Sequence, residues 1–336
     1  MGIYRLLLAI AVLLSHLGIT IYGHNIGVFA VISFFILSGY VMTALVDRHY
    51  MEFSRVGRFY QDRAMRLFPQ FLFYFFLTLL LIGLAHPSSF FIGDVTLPKI
   101  LLNVTMLPLN FFQYFINCQI IPQAWSLGLE SQFYLVIPLV IICKARGPVL
   151  VASLAFFLLA YLGILNADTW GYRMLPGTLF MFILGSYIYR TPSRAALYAI
   201  YLVICAMLIG LVIHPAWQLP FTFEVLAGLV FGVPVVWGLS KLSFGRLEEL
   251  AGNLSYGVFL NHFLLIWLFQ SIGISGDSWW YVYALIASSI ALAGISYQLV
   301  ERPVIRLRHV LRKRGARSIG AVSDLSSRDE PISSIS

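Results

Sequence analysis

Ten apolar runs, each long enough to cross a bilayer as a helix, divide this chain, and they leave room for few other folds. At 1.5 Å per residue a helix needs about 20 residues to span roughly 30 Å of hydrocarbon. Runs of that size lie at 4–22, 27–46, 67–85, 124–143, 148–165, 174–190, 195–213, 223–240, 254–273 and 279–300. The chain is 60% hydrophobic and 11% charged over 336 residues, whereas about a quarter of a soluble domain is charged. The sequence therefore predicts an all-α integral membrane protein of about ten transmembrane helices.

The basic residues give an independent reading of the same layout. With the N-terminus in the cytoplasm, the inner side receives Arg5, Arg48, Arg55, Arg58, Arg63, Arg66, Lys144, Arg146, Arg190, Arg194, Lys241, Arg246 and the arginines and lysines from Arg302 onward; only Lys99 and Arg173 fall outside. A wrong helix count would scatter these charges, so the asymmetry favours ten spans with both termini cytoplasmic. The net charge of +8 is then topology plus attraction to anionic membrane lipid, and no nucleic-acid partner is called for.

Residues 1–303 form the predicted transmembrane domain, and 304–336 a basic, then Ser-rich cytoplasmic tail expected to be disordered. The first run lacks a small-residue cleavage site and reads as a retained helix. Cys118, Cys143 and Cys205 have no metal-ligand spacing, no metal site is expected, and only Cys118 falls outside, which argues against a disulfide. Two intervening regions are long. Asp47 to Arg66 sets arginines beside Tyr50, Phe53, Phe59 and Tyr60, as an amphipathic interfacial loop would, and could hold phosphate. His86 to Gln123 is apolar and broken by Pro87, Pro98, Pro108 and Pro122, which predicts a re-entrant or interfacial cover over a site; it contains a sequon at Asn103.

Two residues in the first run resist an explanation by apolar packing. Arg5 and His16 are eleven residues apart, about 20° past three helical turns, so they share one face roughly 16 Å apart. Ionisable groups at membrane depth are costly and usually face a polar cavity. Glu130 lies about six residues, roughly 9 Å, into the fourth run. Counting back from Tyr22 places His16 at the same level, so the two can meet. A carboxylate beside an imidazole orients a general base, although the same pair could simply lock two helices. Ser38 and Gly39 admit two readings, a packing notch or an opening for an extended ligand arm. His262, beside Asn261, reads equally as a structural hydrogen bond or a cavity residue. His24 and Asn25 read as solvated turn residues, and Glu301 as the partner of an arginine such as Arg5 or Arg302.

The Arg5 to His16 spacing, SFFILSGY at 33–40, the basic run from Arg63 to Pro69, WSLGLESQFYL at 125–135, Leu254 to His262, and Tyr297 to Pro303 occur in an order that resembles the membrane acyltransferase-3 family. The resemblance covers nearly the whole chain. It implies an integral-membrane O-acyltransferase of the cell inner membrane, moving an acyl group, most commonly acetyl, from cytoplasmic acyl-CoA to a sugar hydroxyl of an exported or cell-surface polysaccharide. Under it His16 matches the essential histidine and Arg5 its paired arginine. Arg63 and Arg66 match the basic cluster near the donor phosphates; the opening alternative for Ser38 and Gly39 would then admit the pantetheine arm. Glu130 is the carboxylate of the fourth-span signature, and Ser131 stands where a second acidic residue often follows. Some members carry a soluble esterase-like domain as well, and the compact form without it is expected here.

The chemistry agrees with this layout. Guanidinium groups bind phosphate through bidentate, charge-assisted bonds, and neutral imidazole suits removal of a hydroxyl proton. An acyl-histidine intermediate is equally compatible. No permanently bound cofactor is expected. The expected partners are acyl-CoA, a free or lipid-linked saccharide, membrane lipid and proteins of polysaccharide biosynthesis. The competing class is a transporter or flippase for a lipid-linked saccharide, for which corresponding broken helices in two halves would speak.

Overall fold

The computed structural model describes residues 1–307 except 88, 192, 244, 275 and 277. Among the described residues the chain is helical, with no β-strand. The α-helices are α1 (Gly2–His16), α2 (Ile26–His49), α3 (Val56–Ala85), α4 (Leu97–Val104), α5 (Trp125–Ile142), α6 (Arg146–Tyr161), α7 (Leu175–Tyr189), α8 (Arg194–Ile213), α9 (Thr222–Leu239), α10 (Arg246–Ser271) and α11 (Trp279–Ser296). Each of the ten apolar runs falls on one of them, and α4 is the addition. By length and composition α2, α3, α5, α8, α9, α10 and α11 can cross a membrane, whereas α1 and α6 are shorter apolar helices. Most of the expected tail, from 308 on, lies outside the described residues.

Helix α2 is the hub, packing against α1, α5, α7 and α9, while α10 packs against α1, α3 and α11. The hub needs close backbone approach. A Cβ at Gly39 would stand 1.8 Å from the Phe182 carbonyl oxygen on α7, and one at Gly185 on α7 would stand 1.9 Å from the Ile36 oxygen on α2. Small residues let membrane helices approach this far, so the packing notch is the reading that fits Gly39. Helix α8 is peripheral, burying only Ile204 and Leu211.

Helices α1 and α10 run parallel and in step. The backbone N–H of Gly2 donates to Glu248 at one end, and His16 meets His262 at the other, each pair separated by the same 246 residues. Glu248 also accepts from Ile3 N–H at 3.2 Å, so a carboxylate of α10 satisfies donors that the first turn of α1 leaves without helical partners.

Two expectations about element ends are corrected. Helix α1 stops at His16 rather than near residue 22: the Leu17 and Gly18 N–H groups bond back to Leu14 and Ser15, and Gly18 takes φ +79°. His16 is therefore the last helical residue and stands at the mouth of the bundle, not two turns inside it. The basic stretch, expected as a loop, is also largely helical. Helix α2 continues to His49 and α3 starts at Val56, which places Arg58, Arg63 and Arg66 on α3; the segment from Val56 to Arg66 has no proline and good helix formers.

The turn between α1 and α2 is not merely solvated. Asn25 caps α2 by accepting from Gly27 and Val28 N–H, and His24 lies 3.3 Å from Glu224 and stacks on Phe223. The segment from His86 to Gln123 folds as α4 followed by short 3₁₀ and π turns. Buried Asn103 ties it together: its amide donates to the Lys99 and Cys118 carbonyls and its oxygen accepts from Ile120 N–H at 3.2 Å. The sequon asparagine is thus a structural brace.

Candidate functional site

Helices α1, α2, α3, α5 and α10 surround a cavity of about 880 Å³, its open mouth included. Its polar lining includes Arg5, Ser38, Arg63, Arg66, Glu130 and Tyr134. By helix direction, Arg5, Arg63 and Arg66 lie toward the end where α1, α3 and α10 begin. Val31, Phe34 and Phe259 lie toward the opposite end.

Glu130 occupies the centre of this polar group. One of its carboxylate oxygens accepts from Ser38 Oγ at 2.5 Å and from Tyr134 Oη at 2.6 Å. Tyr134 is one turn further along α5, so helix periodicity delivers that donor, whereas Ser38 comes from α2. The two small residues thus divide the readings given to them: Gly39 packs on α7, and Ser38 faces the cavity and holds Glu130. Ser131, at the second position of the motif, donates to Met106 Sδ.

The arginines are positioned by acidic neighbours. Arg63 is buried and ion-pairs with Asp62. Arg66 pairs with Glu301, and its guanidinium lies over the Tyr256 ring, 5.5 Å from the centroid. Glu301 thus pairs with an arginine, as expected, and that arginine is Arg66 on α3; Arg302 donates to Gln298. The π-helical turn Tyr297–Glu301 is what carries Glu301 to α3.

His16 lies outside the cavity lining and does not use Glu130 as its partner. Its Nδ1 lies 3.1 Å from Nε2 of His262, with ring centroids 5.0 Å apart and ring planes 20° apart, and Phe263 packs 4.8 Å away. The depth argument that paired His16 with Glu130 assumed a helix running to Tyr22; with α1 ending at His16, the imidazole is carried beyond the level of Glu130 and onto α10. His16 is accessible at the surface, and His262 behind it is wholly buried. His262 Nδ1 in turn faces the Val258 carbonyl one turn back, at 3.4 Å. Asn261 turns to α11 instead, exchanging hydrogen bonds with Ser289.

One aromatic layer separates cavity and histidine pair. Phe259 lines the cavity, meets Phe34 edge-on at 6.1 Å and meets His262 at 6.2 Å. The step from Phe259 to His262 is three residues, about 4.5 Å along α10. Gln123, from the segment between α3 and α5, fixes α10 at this level by donating to the Phe259 and Leu260 carbonyls at 3.0 and 2.8 Å. Nothing in the sequence singled out Phe34 and Phe259, which look like ordinary apolar helix residues. The sequence offered only Asn261–His262 as a polar interruption of an apolar run.

Comparison with known proteins agrees with this architecture. A family model described as an acyltransferase domain, that of the acyltransferase-3 family, matches residues 3–298. An uncharacterized protein of Aquifex aeolicus (strain VF5) is 34% identical over 205 residues, covering 57% of this chain and 91% of its own length. Nodulation protein 10 of Rhizobium leguminosarum bv. viciae is 34% identical over 94 residues, 28% of this chain and 24% of its own length. No solved structure matches. With a family model spanning the helical body almost from end to end, the chain belongs to the acyltransferase-3 family and is an acyltransferase with several membrane-spanning helices.

Proposed function

We propose that the chain is a multi-pass O-acyltransferase of the cell inner membrane. It takes an acyl group, in the simplest case acetyl, from cytoplasmic acyl-CoA and delivers it to a hydroxyl of a saccharide destined for the cell surface. The observation that carries this reading is the arrangement of one cavity with three arginines toward one end and an accessible histidine just beyond the other. Coenzyme A is a phosphorylated thioester donor, and Arg5, Arg63 and Arg66 offer guanidinium groups suited to phosphate. Asp62 and Glu301 pin two of them in place, which lowers the ordering cost of gripping a charged donor.

In this reading the two substrates meet across the Phe259 layer. The acceptor hydroxyl gives its proton to His16, its oxygen bonds to the thioester carbonyl carbon, the C–S bond breaks, and the thiolate of coenzyme A leaves and takes up a proton. Glu130, held by Ser38 and Tyr134, shapes the donor side of the cavity rather than acting on the imidazole.

The test is release of free thiol by the purified protein in lipid nanodiscs, given acetyl-CoA with and without oligosaccharide acceptors. Acceptor-dependent thiol release with a stoichiometric O-acetyl product supports the proposal. Donor binding without transfer to any hydroxyl, or transfer to an amine alone, refutes it.

A further inference from the structure

The base proposed above must present a ring nitrogen with a lone pair to the acceptor hydroxyl, and a neutral imidazole offers that lone pair on only one of its two nitrogens. The hydrogen bonds behind His16 decide which. The backbone carbonyl of Val258 can only accept, and it faces Nδ1 of His262 at 3.4 Å. A lone pair at that nitrogen would point at the carbonyl's own lone pairs, so His262 carries its proton on Nδ1. Its Nε2 is then an acceptor, and the atom 3.1 Å from it is Nδ1 of His16. His16 accordingly carries its proton on Nδ1 and keeps its lone pair on Nε2, the nitrogen left for substrate.

We infer that His262 is a positioning residue: it relays the polarity of the Val258 carbonyl to His16 and fixes the tautomer in which Nε2 is the proton acceptor. The inference rests on the reading of His16 as the base. His262 is suited to the task because it is wholly buried, so water does not compete for its Nε2. Its position is set from two sides. Phe259 and Phe263 contact the ring at 6.2 and 5.3 Å, and Gln123 holds the α10 backbone one turn before it. When His16 takes the acceptor's proton, its Nδ1–H remains bonded to His262 Nε2, so the imidazolium forms without rearrangement. The device does the orienting work of the third member of a hydrolase triad with a neutral ring in place of a carboxylate.

His262→Gln and His262→Leu separate this role from packing. The carboxamide oxygen of glutamine can take the place of Nε2 as acceptor while its NH₂ donates; leucine fills space alone. Groups that fix a histidine's tautomer around metals contribute about 10- to 100-fold to activity. H262L is therefore expected to lower kcat by about that factor with donor and acceptor KM within about twofold of wild type, and H262Q to recover most of the loss. In parallel, the ¹³Cδ2 shift of His16, assigned by difference against His16→Ala among the seven histidines, should report the Nδ1–H tautomer in wild type and H262Q and lose it in H262L. An unchanged kcat in H262L, equal losses in both variants, or an Nε2–H tautomer in the wild type overturns the inference. Substantial activity in H16A instead overturns the reading of His16 as base, whatever the His262 variants do.

Discussion

Gly39→Ala tests whether the contact between α2 and α7 sets the cavity geometry. The added Cβ would meet the Phe182 oxygen, carbonyl carbon and Cα at 1.8, 2.6 and 2.9 Å, all backbone atoms that no rotamer change can move. Ordinary contact begins at 3.4 Å, so the first distance falls short by about 1.6 Å and the helices must part or rotate. Overpacking a tight core costs about 1–3 kcal/mol. A gap of about 0.5–1 Å also forfeits a quarter to a half of each dispersion contact, which puts this variant at the upper end of the range. The 2.5 Å bond from Ser38, the neighbouring residue on α2, to Glu130 cannot survive an unrelieved displacement of that size. Thermal unfolding of the purified protein by intrinsic fluorescence, together with acetyl-CoA binding, should show a clear loss in both. Gly83→Ala on α3 is the control, since nothing lies within 4 Å of its added Cβ; it should be neutral or slightly stabilising. Wild-type stability and donor binding in Gly39→Ala would refute the reasoning.

His16→Ala should insert normally and retain less than about a tenth of the transfer rate, since a general base contributes about 10² to 10⁴; more than that removes it from the chemistry. Arg63→Ala and Arg66→Ala should raise the donor KM more than they change acceptor recognition, with lysine rescuing in part; unchanged donor affinity in both would limit them to structural ion pairs. Asn103→Ala strands the Lys99 and Cys118 carbonyls and the Ile120 N–H and should destabilise the segment between α3 and α5 by about 1–3 kcal/mol, read as faster proteolysis there. Cys118 is buried, and burial pushes its thiol pKa up. Because the thiolate is the reactive form, exposed Cys143 should take a maleimide at neutral pH, and labelling of Cys118 should rise only as the solution becomes alkaline; equal rates at pH 7 would contradict the burial.

Hydropathy located ten of the helices, seven of them long enough to cross a membrane, because the energetic cost of an unsatisfied backbone in lipid is read from local composition alone. The same physics singled out Arg5, His16 and Glu130, since each interrupts an apolar run that has no packing use for it. Which of them meet is a different kind of information. Local counting extended α1 to Tyr22 and placed His16 level with Glu130, but the helix ends at His16, and a few residues of helix are enough to exchange one partner for another. His262 lies 246 residues away from His16, and only the in-step packing of α1 on α10 brings the rings together. Arg66 finds Glu301 through a π-helical turn that no periodicity announces. Phe34 and Phe259 become the layer between cavity and histidines only because their rings, from α2 and α10, meet across the cavity. Composition and period act along the chain and were legible in it; the pairings depend on where helices stop and in what register they pack, which only the tertiary structure decides.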